Sequence, residues 1–476
     1  MKNKILKTII IIVAALIPIL FTVFGFVAPS QYDETYYGEL GYMYNRLKNT
    51  EGKKIVLIGN SSMAFGVRTD LMQAEFPDYE VVQLALYGAI GTKAMLDLSK
   101  VNISEGDIVI LAPERNEQAQ SLFFSAENMW MAADGNFSML AHIAEENMPS
   151  MVGNFPQFVS QKYGYIMEGS KPSVSGVYQQ SSFNDENGVE VGYMTFPREQ
   201  NIMVGGYDAN NVIDFSNGFS EEFAEYLNEY NRFVQSKGGT LYYGFSPVNE
   251  LALADGNDEE TLYGYVETLT EQLDCRVIGN PVDYVMDYEW FYDTKVHMNS
   301  AGMYVYTNRL VEDLKTELGI STANSIVIPE KPQIVPPETV EGNNADVDCF
   351  TYEAYEDGVR ITGLSEKGQE KTSLVIPTSY EGKSVICFEA SVFAGNTKIT
   401  EITVQENVRM LYDGSFEGCT RLTRLVLAHI NPNTIGVGTE LFIGADNCKI
   451  YVKSDALDLF TTHYTWGVYR NILFAY

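Results

Sequence analysis

The stretch Lys54-Ile-Val-Leu-Ile58 runs directly into Gly59-Asn60-Ser61-Ser62. A short run of aliphatic and β-branched residues that ends in a glycine turn is typical of a strand buried on both faces, as in a parallel sheet. A serine on the turn after such a strand lies at the carboxyl edge of the sheet, where open α/β sheets bind ligands. Taken alone, a serine in this place is more often only the cap of the following helix.

Two runs of the same kind follow, at Tyr79–Gln83 and Asp107–Leu111, and a helical stretch near Thr92–Ser99 separates them. Strands that alternate with helices form parallel βαβ units. The sequence therefore predicts an α/β fold, a flavodoxin-like α/β/α sandwich with a parallel five-stranded sheet. The later elements are expected as a helix near Glu222–Gln235, a strand at Thr240–Phe245, a helix near Glu259–Leu273, a strand at Arg276–Ile278 and a helix over Ala301–Leu318.

A long region, Glu117–Phe215, separates the third and fourth predicted strands and is rich in Met, Tyr, Phe and Gly. Because it follows the carboxyl end of a parallel strand, it is placed to cover a substrate site. A purely structural insertion with its own small core explains it equally well.

Four prolines between Ser321 and Val347 predict a stiff linker. The linker separates a main domain, residues 31–320, from a C-terminal domain, residues 348–476.

The C-terminal domain contains an internal repeat. Phe393-Ala-Gly395 recurs 23 residues later as Phe416-Glu-Gly418, and a looser third copy begins at Phe442-Ile-Gly444. This period is typical of leucine-rich repeats, in which each unit buries its apolar face only against its neighbours. The segment Ala390–Leu427 resembles the BspA-like leucine-rich repeats of bacterial surface proteins, which implies a small β-rich module for binding or packing. The apolar pairs in register are Ile399 with Leu422, Ile402 with Leu425 and Val404 with Leu427.

The composition limits the kinds of molecule that the protein can bind. A net charge of −31 and a pI near 4.4 exclude nucleic acid as a partner, because binding its phosphates requires clustered Lys and Arg.

The five cysteines are irregularly spaced without a Cys-x-x-Cys pair, so neither a zinc site nor a complete disulfide framework is indicated. We expect mostly buried thiols, with one disulfide in the C-terminal domain left open.

The N-terminal residues predict a membrane anchor. Lys2, Lys4 and Lys7 precede an uncharged run, Thr8–Ala28, which as a helix is just long enough to span a bilayer. The flanking lysines place the N-terminus in the cytoplasm and the bulk of the protein outside. A cleaved signal peptide is the alternative, but the segment lacks a good cleavage site. Residues 1–30 are therefore expected to form a cytoplasmic tip and a single transmembrane helix.

A second polar motif lies before the last predicted helix. Asp293 and His297 emerge at the same carboxyl edge of the sheet as Ser61. An Asp-x-x-x-His pattern is common by chance, and alone it fits a surface loop. Its combination with a serine after the first strand favours nucleophilic catalysis.

This combination resembles the SGNH/GDSL hydrolase superfamily, over roughly residues 50–318. Gly59-Asn60-Ser61 resembles the family's first block, with Asn in place of Asp, and implies that Ser61 is the nucleophile. Asp293 and His297 match the last block, with a spacing one residue longer than usual. The resemblance implies that His297 removes the Ser61 proton and that Asp293 orients the imidazole. No metal or organic cofactor is required.

The family's oxyanion hole uses the serine's own N–H, a glycine N–H after the second strand and an asparagine side chain after the third. Ser61 and Gly88 fit the first two places. The third block departs from the pattern, because Leu111-Ala-Pro-Glu114-Arg115-Asn116 has no Gly-x-Asn-Asp, and Asn116 is at best a displaced equivalent. An absent donor typically costs about 10²–10³ in turnover, so this departure bears on activity.

Within this superfamily the chain resembles the membrane-tethered, cell-envelope branch that includes DltD-like and alginate-acetylation-like proteins. It implies an esterase or O-acyltransferase acting on a cell-envelope polysaccharide or another acylated polymer, with an acyl-exporting membrane protein as a partner. The competing hypothesis is a catalytically inactive scaffold whose repeats mediate binding.

Overall fold

The computed structural model describes residues 19–172, 174, 177–201, 213–333, 344–438, 441–445, 447–453, 456–463 and 465–476. The chain divides into two compact units: the first takes in nearly all of the chain up to Gln333, and the second consists mainly of Ile334–Tyr476. Within the predicted linker, residues 321–333 form neither helix nor strand, and residues 334–343 lie outside the described residues.

A parallel five-stranded sheet forms the centre of the first unit, and this prediction is confirmed. The strands are β1 Lys54–Gly59, β2 Glu80–Ala85, β3 Ile108–Ala112, β4 Thr240–Tyr243 and β5 Arg276–Val277. Their spatial order is β2-β1-β3-β4-β5, which is the order of flavodoxin-like sheets. Strand β1 is buried along its whole length, as expected from its aliphatic composition.

Helices connect these strands. The helix Glu221–Ser236 shows why: its residues Phe223, Leu227 and Val234 recur at helical spacing and are buried, and the hydroxyl of Ser220 caps its N-terminus by accepting the Phe223 N–H. The α-helices are α1 Tyr36–Asn49, α2 Ser61–Gly66, α3 Thr69–Glu75, α4 Thr92–Ser99, α5 Ala126–Ala133, α6 Met148–Glu168, α7 Glu221–Ser236, α8 Glu259–Gln272 and α9 Gly302–Glu317.

Short elements complete the first unit. Val248–Asn249 and Val285–Met286 form a small parallel pair. The 3-10 helices are Gly88–Ile90, Phe137–His142, Glu145–Asn147, Gln180–Phe183, Glu250–Ala252, Pro281–Tyr284 and Tyr288–Trp290.

The long region between β3 and β4 has a core of its own. The ring of Trp130 on α5 packs against Phe155 and Phe158 on α6, with ring centroids 4.8 and 5.3 Å apart. The indole N–H of Trp130 donates to the carbonyl of Met151 at 2.8 Å, so its polar atom is satisfied inside this core. Part of the region therefore has a structural role.

The predicted membrane anchor is corrected by the structure. Among the helices that the structure describes, none combines the length and the apolar composition that crossing a bilayer requires, which contradicts the predicted single-pass membrane protein with its bulk outside the cell. Residues 1–18 of the N-terminal segment lie outside the described residues. The described end of the apolar run packs against protein: Phe24 meets Tyr163 at 4.9 Å and Phe26 stacks on Phe155 at 5.1 Å, both on α6. The helix there passes into a π-helical turn at Val23–Val27 and ends.

The second unit is built from two sheets, with short helices at Glu366–Gln369 and Leu457–Thr462 and 3-10 helices at Val347–Cys349, Ala390–Val392, Pro432–Thr434 and Trp466–Ile472. The first sheet is entirely parallel and contains, in spatial order, Ser373–Val375, Glu401–Val404, Arg424–Leu427, Lys449–Val452 and Leu473–Ala475. The second contains, in spatial order, Gly436–Val437, Met410–Leu411, Lys383–Phe388, Gly358–Leu364 and Phe350–Tyr355, with Ser379–Tyr380 paired to Lys383–Phe388.

The strand register of the first sheet follows the sequence repeat. Ile402 lies opposite Leu425, which is the 23-residue displacement read from the sequence. The repeated phenylalanines stack inside the unit: the ring centroids of Phe393 and Phe416 are 5.9 Å apart, and those of Phe416 and Phe442 are 5.5 Å apart. Each copy therefore buries its apolar face against the next one.

The glycine of each repeat has a conformational reason. Gly395, Gly418 and Gly444 have φ angles of +73°, +69° and +74°. Side chains with a Cβ rarely adopt this left-handed conformation, so glycine is the residue that permits the turn.

All five cysteines are free thiols, and four of them are buried. The disulfide that the sequence left open in the C-terminal domain is not formed.

Candidate active site

Ser61 lies at the carboxyl end of the central strand. Strand β1 ends at Gly59, Asn60 is extended, and helix α2 begins at Ser61. The side chain is largely enclosed, since Ser61 is 6% exposed. Both neighbouring strands, β2 and β3, end beside Gly59, so the loops that follow them surround the serine.

Asp293 and His297 form a hydrogen-bonded pair. Nδ1 of His297 lies 2.8 Å from Oδ1 of Asp293, and the hydroxyl of Tyr178 donates to Oδ2 of the same carboxylate at 2.5 Å. Both oxygens of Asp293 are thus engaged, which fixes the carboxylate. A proton held on Nδ1 by this contact leaves Nε2 of the imidazole to exchange protons.

The imidazole lies close to the helix that carries the serine. The ring of Phe65 stacks on His297 with centroids 3.9 Å apart and planes 13° apart. Phe65 follows Ser61 by four residues on α2, so the two side chains occupy successive turns of one face, about 5–6 Å apart at Cβ. The imidazole of His297 is thus linked to Ser61 through Phe65, which lies one turn further along the same helix.

The present hydrogen-bond partner of Ser61 is Glu114. The Ser61 hydroxyl donates to Oε1 of Glu114 at 2.8 Å, and the backbone N–H of Ser62 donates to the same oxygen at 2.9 Å. Among the described residues, no hydrogen bond joins Ser61 to His297. That Ser61 and the Asp293–His297 pair act together therefore stays a prediction.

The other predicted oxyanion donors lie around Glu114. The amide nitrogen of Asn116 donates to Oε2 of Glu114 at 3.1 Å, and the amide oxygen accepts the Ala119 N–H at 2.8 Å. A Cβ placed on Gly88 would lie 3.6 Å from Oε2 of Glu114. Gly88 and Asn116 are thus near the serine, but the group they flank is a carboxylate. Their predicted role stays a prediction.

Tyr36 on α1 links the two halves of the site electrostatically. Burial raises the pKa of Tyr36 well above its ordinary value, and the negative charges of Asp293 and Glu114 raise it further. Both carboxylates therefore act on one buried ring, although they lie on loops that are far apart in the sequence.

Arg198 joins the serine helix to the histidine loop. It is 1% exposed, its Nη2 donates to the carbonyl of Phe65 at 3.2 Å and its Nε donates to the carbonyl of Met298 at 3.1 Å. Its backbone exchanges hydrogen bonds with Ser300 in both directions. Burial lowers the pKa of Arg198 to about 10, and the charge of Asp293 opposes that shift.

Sequence reasoning missed several of these residues, and three of them show why. Glu114 follows β3 by two residues, so the rule that side chains after parallel strands meet at one edge was sufficient to find it. Tyr178 and Arg198 come from the long region between β3 and β4, and only the folding of that region places them. In the part of the chain that the structure describes, no group of three His, Cys, Asp or Glu side chains could hold a metal ion.

The likeness of this chain to known proteins is weak. No family model matches the chain, and no curated protein matches it. Among solved structures, a leucine-rich repeat protein of T. pallidum is 22% identical to this chain, with a TM-score of 0.15. The match covers 24% of this chain and 44% of the T. pallidum protein. The protein YxiM of Bacillus subtilis is 14% identical, with a TM-score of 0.27, over 57% of this chain and 58% of its own. The chain thus spans less than two thirds of either structure, and at these TM-scores neither likeness carries an argument.

Proposed function

We propose that this protein is a serine-dependent acyl-ester enzyme, an esterase or O-acyltransferase, with Ser61 as nucleophile and His297, oriented by Asp293, as the acid–base residue. The observation that carries the proposal is the Asp293–His297 pair, which Tyr178 fixes and which stacks on Phe65, a residue of the helix that begins with the buried Ser61. The resemblance of the Gly59-Asn60-Ser61 block and the Asp293 and His297 block to SGNH hydrolases supports the same assignment.

The chemistry requires a covalent intermediate. The Ser61 oxygen attacks the carbonyl carbon of the ester, the alcohol leaves with a proton, and acyl-Ser61 remains. Water or an acceptor hydroxyl then gives up a proton and attacks the acyl carbon, which frees Ser61. His297 is the histidine placed to exchange those protons, because Asp293 holds its Nδ1 and leaves Nε2 for the reactants.

As substrate we propose an acyl ester on a carbohydrate or another polymer, the class that the resemblance implies. An acyl-exporting membrane partner stays a prediction.

The second candidate function is a binding protein without turnover. It is favoured by the contact of Ser61 with Glu114 and by the position of Gly88 and Asn116 around that carboxylate. A negative group beside the serine opposes the charge that develops on the carbonyl oxygen during acyl transfer.

Covalent labelling and an ester panel separate the two functions. The full chain is treated with a fluorophosphonate, a reagent for activated serines, and is assayed on aryl esters and O-acetylated sugars beside Ser61→Ala. The enzyme proposal requires label on Ser61 and turnover that Ser61→Ala loses. An unlabelled wild-type protein that is inert across the panel supports the binding function.

Arg198→Lys is expected to lower kcat/KM by about 10²-fold. A lysine ammonium cannot reach the carbonyls of Phe65 and Met298 together as the guanidinium fork does, and small misplacements of catalytic groups cost about this much. Steady-state kinetics and circular dichroism measure activity and folding. Arg232→Lys is the matched control, because that side chain is 56% exposed. Wild-type kcat/KM in a folded Arg198→Lys protein contradicts this positioning role.

A further inference from the structure

Glu114 is a buried carboxylate that three donors approach. Ser61 Oγ and Ser62 N–H donate to Oε1 at 2.8 and 2.9 Å, and the Asn116 amide donates to Oε2 at 3.1 Å. Both carboxyl oxygens therefore act as hydrogen-bond acceptors. The residue is 7% exposed.

Within the described part of the chain, Glu114 forms no salt bridge. Arg115, the neighbouring cation, is turned away, and its guanidinium donates to the carbonyls of Asp214 and Asn217. A buried carboxylate without a counter-ion is costly, and an alanine or a serine in its place would avoid that cost. Stability alone therefore does not explain Glu114.

The backbone around Glu114 is held in place. Its N–H donates to Oδ1 of Asn60 at 3.3 Å, and the hydroxyl of Thr92 donates to the same oxygen at 3.2 Å. Asn60 immediately precedes the serine, so the ends of β1 and β3 are tied together at this point. The contact between Ser61 and Glu114 is thus part of a fixed arrangement.

We propose that Glu114 is a second catalytic residue, the base that accepts the Ser61 proton, while His297 exchanges its proton with the leaving or entering oxygen. This assignment rests on the proposed acyl-ester function and divides the acid–base work between Glu114 and His297. It follows from which side chain each group contacts: Ser61 contacts Glu114, and His297 contacts Asp293.

The protons balance over one catalytic cycle of acylation and deacylation. In acylation the Ser61 proton moves to Oε1 of Glu114, the Oγ–carbon bond forms, the ester C–O bond breaks, and Nε2 of protonated His297 gives its proton to the leaving alcohol. In deacylation neutral His297 takes the proton of water or the acceptor hydroxyl, whose oxygen bonds the acyl carbon. The Oγ–carbon bond then breaks, and Glu114 returns its proton to Ser61. Each half is the reverse of the other.

A burst experiment on the full chain tests the division. A p-nitrophenyl ester is used because its leaving group needs no proton, so acylation needs only the base for Ser61. Glu114→Gln keeps the size of the side chain but cannot take a proton, and we expect acylation to slow about 10²–10⁴-fold, the usual contribution of general base catalysis. His297→Ala should release close to one equivalent of nitrophenol and then stop, because the acyl-enzyme is trapped.

Glu117→Gln is the matched control, since it removes one negative charge from the same loop at an exposed position. A wild-type burst rate in Glu114→Gln overturns the assignment, and so does the loss of the burst in folded His297→Ala, which is the result expected if His297 takes the Ser61 proton. The His297→Ala arm decides the question even when Glu114→Gln does not fold. A wild-type protein that shows no burst and no label on Ser61 instead removes the proposed function itself.

Discussion

Ser61→Ala is expected to lower the turnover of a hydrolysable acyl ester by at least about 10³-fold, and His297→Ala by a similar factor. The covalent step needs the Ser61 oxygen, and each cycle needs a residue that exchanges protons with the reacting oxygens. Because the two residues act in one mechanism, the double variant should be scarcely worse than either single one. Asp293→Ala should retain somewhat more activity, since it removes only the orientation of the imidazole.

Steady-state kinetics on the wild-type protein and these four variants measures the effect. Additive losses in the double variant, or wild-type turnover in Ser61→Ala, contradict the assignment.

Ser62→Ala is the neighbouring control. The Ser62 hydroxyl is buried and has no hydrogen-bond partner among the described residues, and it does not cap helix α2, whose N-cap is Asn60. The contact of Ser62 with Glu114 uses the backbone N–H, which alanine keeps. Most turnover should therefore remain, and the free energy of unfolding should stay unchanged or rise by up to about 1 kcal/mol, because an unsatisfied polar group is removed. A large loss of activity contradicts this reading of the site.

The second large effect is a loss of stability of the repeat unit in acid, caused by His429. This side chain is 1% exposed, its Nε2 contacts the carbonyl of Val408 at 2.8 Å, and its Nδ1 is buried with no hydrogen-bond partner in the part of the chain that the structure describes. Burial lowers the pKa of His429 from its ordinary 6.5 to about 4. The unfolded chain therefore binds the proton at a higher pH than the folded one does.

The sign follows from that difference. Between pH 6.5 and pH 4 the unfolded state holds more protons on this residue, so the free energy of unfolding falls as the pH falls through that window. The total contribution is about 3 kcal/mol. His429→Gln can keep a donor to Val408 but does not titrate, so its transition should depend less steeply on pH than that of the wild-type protein.

Differential scanning calorimetry of the full chain at several pH values measures the difference between the two proteins. Carboxylates also titrate in the lower part of this range, and they are common to both, so the wild type minus variant comparison isolates His429. Identical pH dependence in the two proteins contradicts the prediction.

The sequence predicted the central sheet closely, because each strand is a local feature. The run Lys54–Ile58 is too uniformly aliphatic for a surface strand, and its observed neighbours β2 and β3 begin within one residue of the predicted positions. The repeat was equally readable, since a stacked unit needs the same buried residues in each copy. Ile402 facing Leu425 is the structural form of that periodicity.

The candidate site was predicted from two separate motifs. Ser61, Asp293 and His297 were selected because each flanks a predicted element at the same edge of the sheet, and their catalytic roles stay predictions. The pairing of Ser61 with Glu114 was not predicted, because the family resemblance implied that Asn116 is the third-block residue. Arg198 was missed for a different reason. Nothing near it in sequence indicates that it reaches Phe65 and Met298.

The sequence by itself determined the helices, the strands and the internal repeat. These features depend on hydrophobic periodicity and on turn residues, both of which act over a few neighbouring positions. Tertiary structure alone decided which side chains contact one another across long separations. The apolar N-terminal run shows the difference, since its composition fits lipid, and only the fold places Phe24 and Phe26 against α6. The Ser61 hydroxyl is a second example. Its hydrogen-bond partner, Glu114, is set by the pairing of β1 with β3, whose ends lie side by side although they are far apart in the sequence.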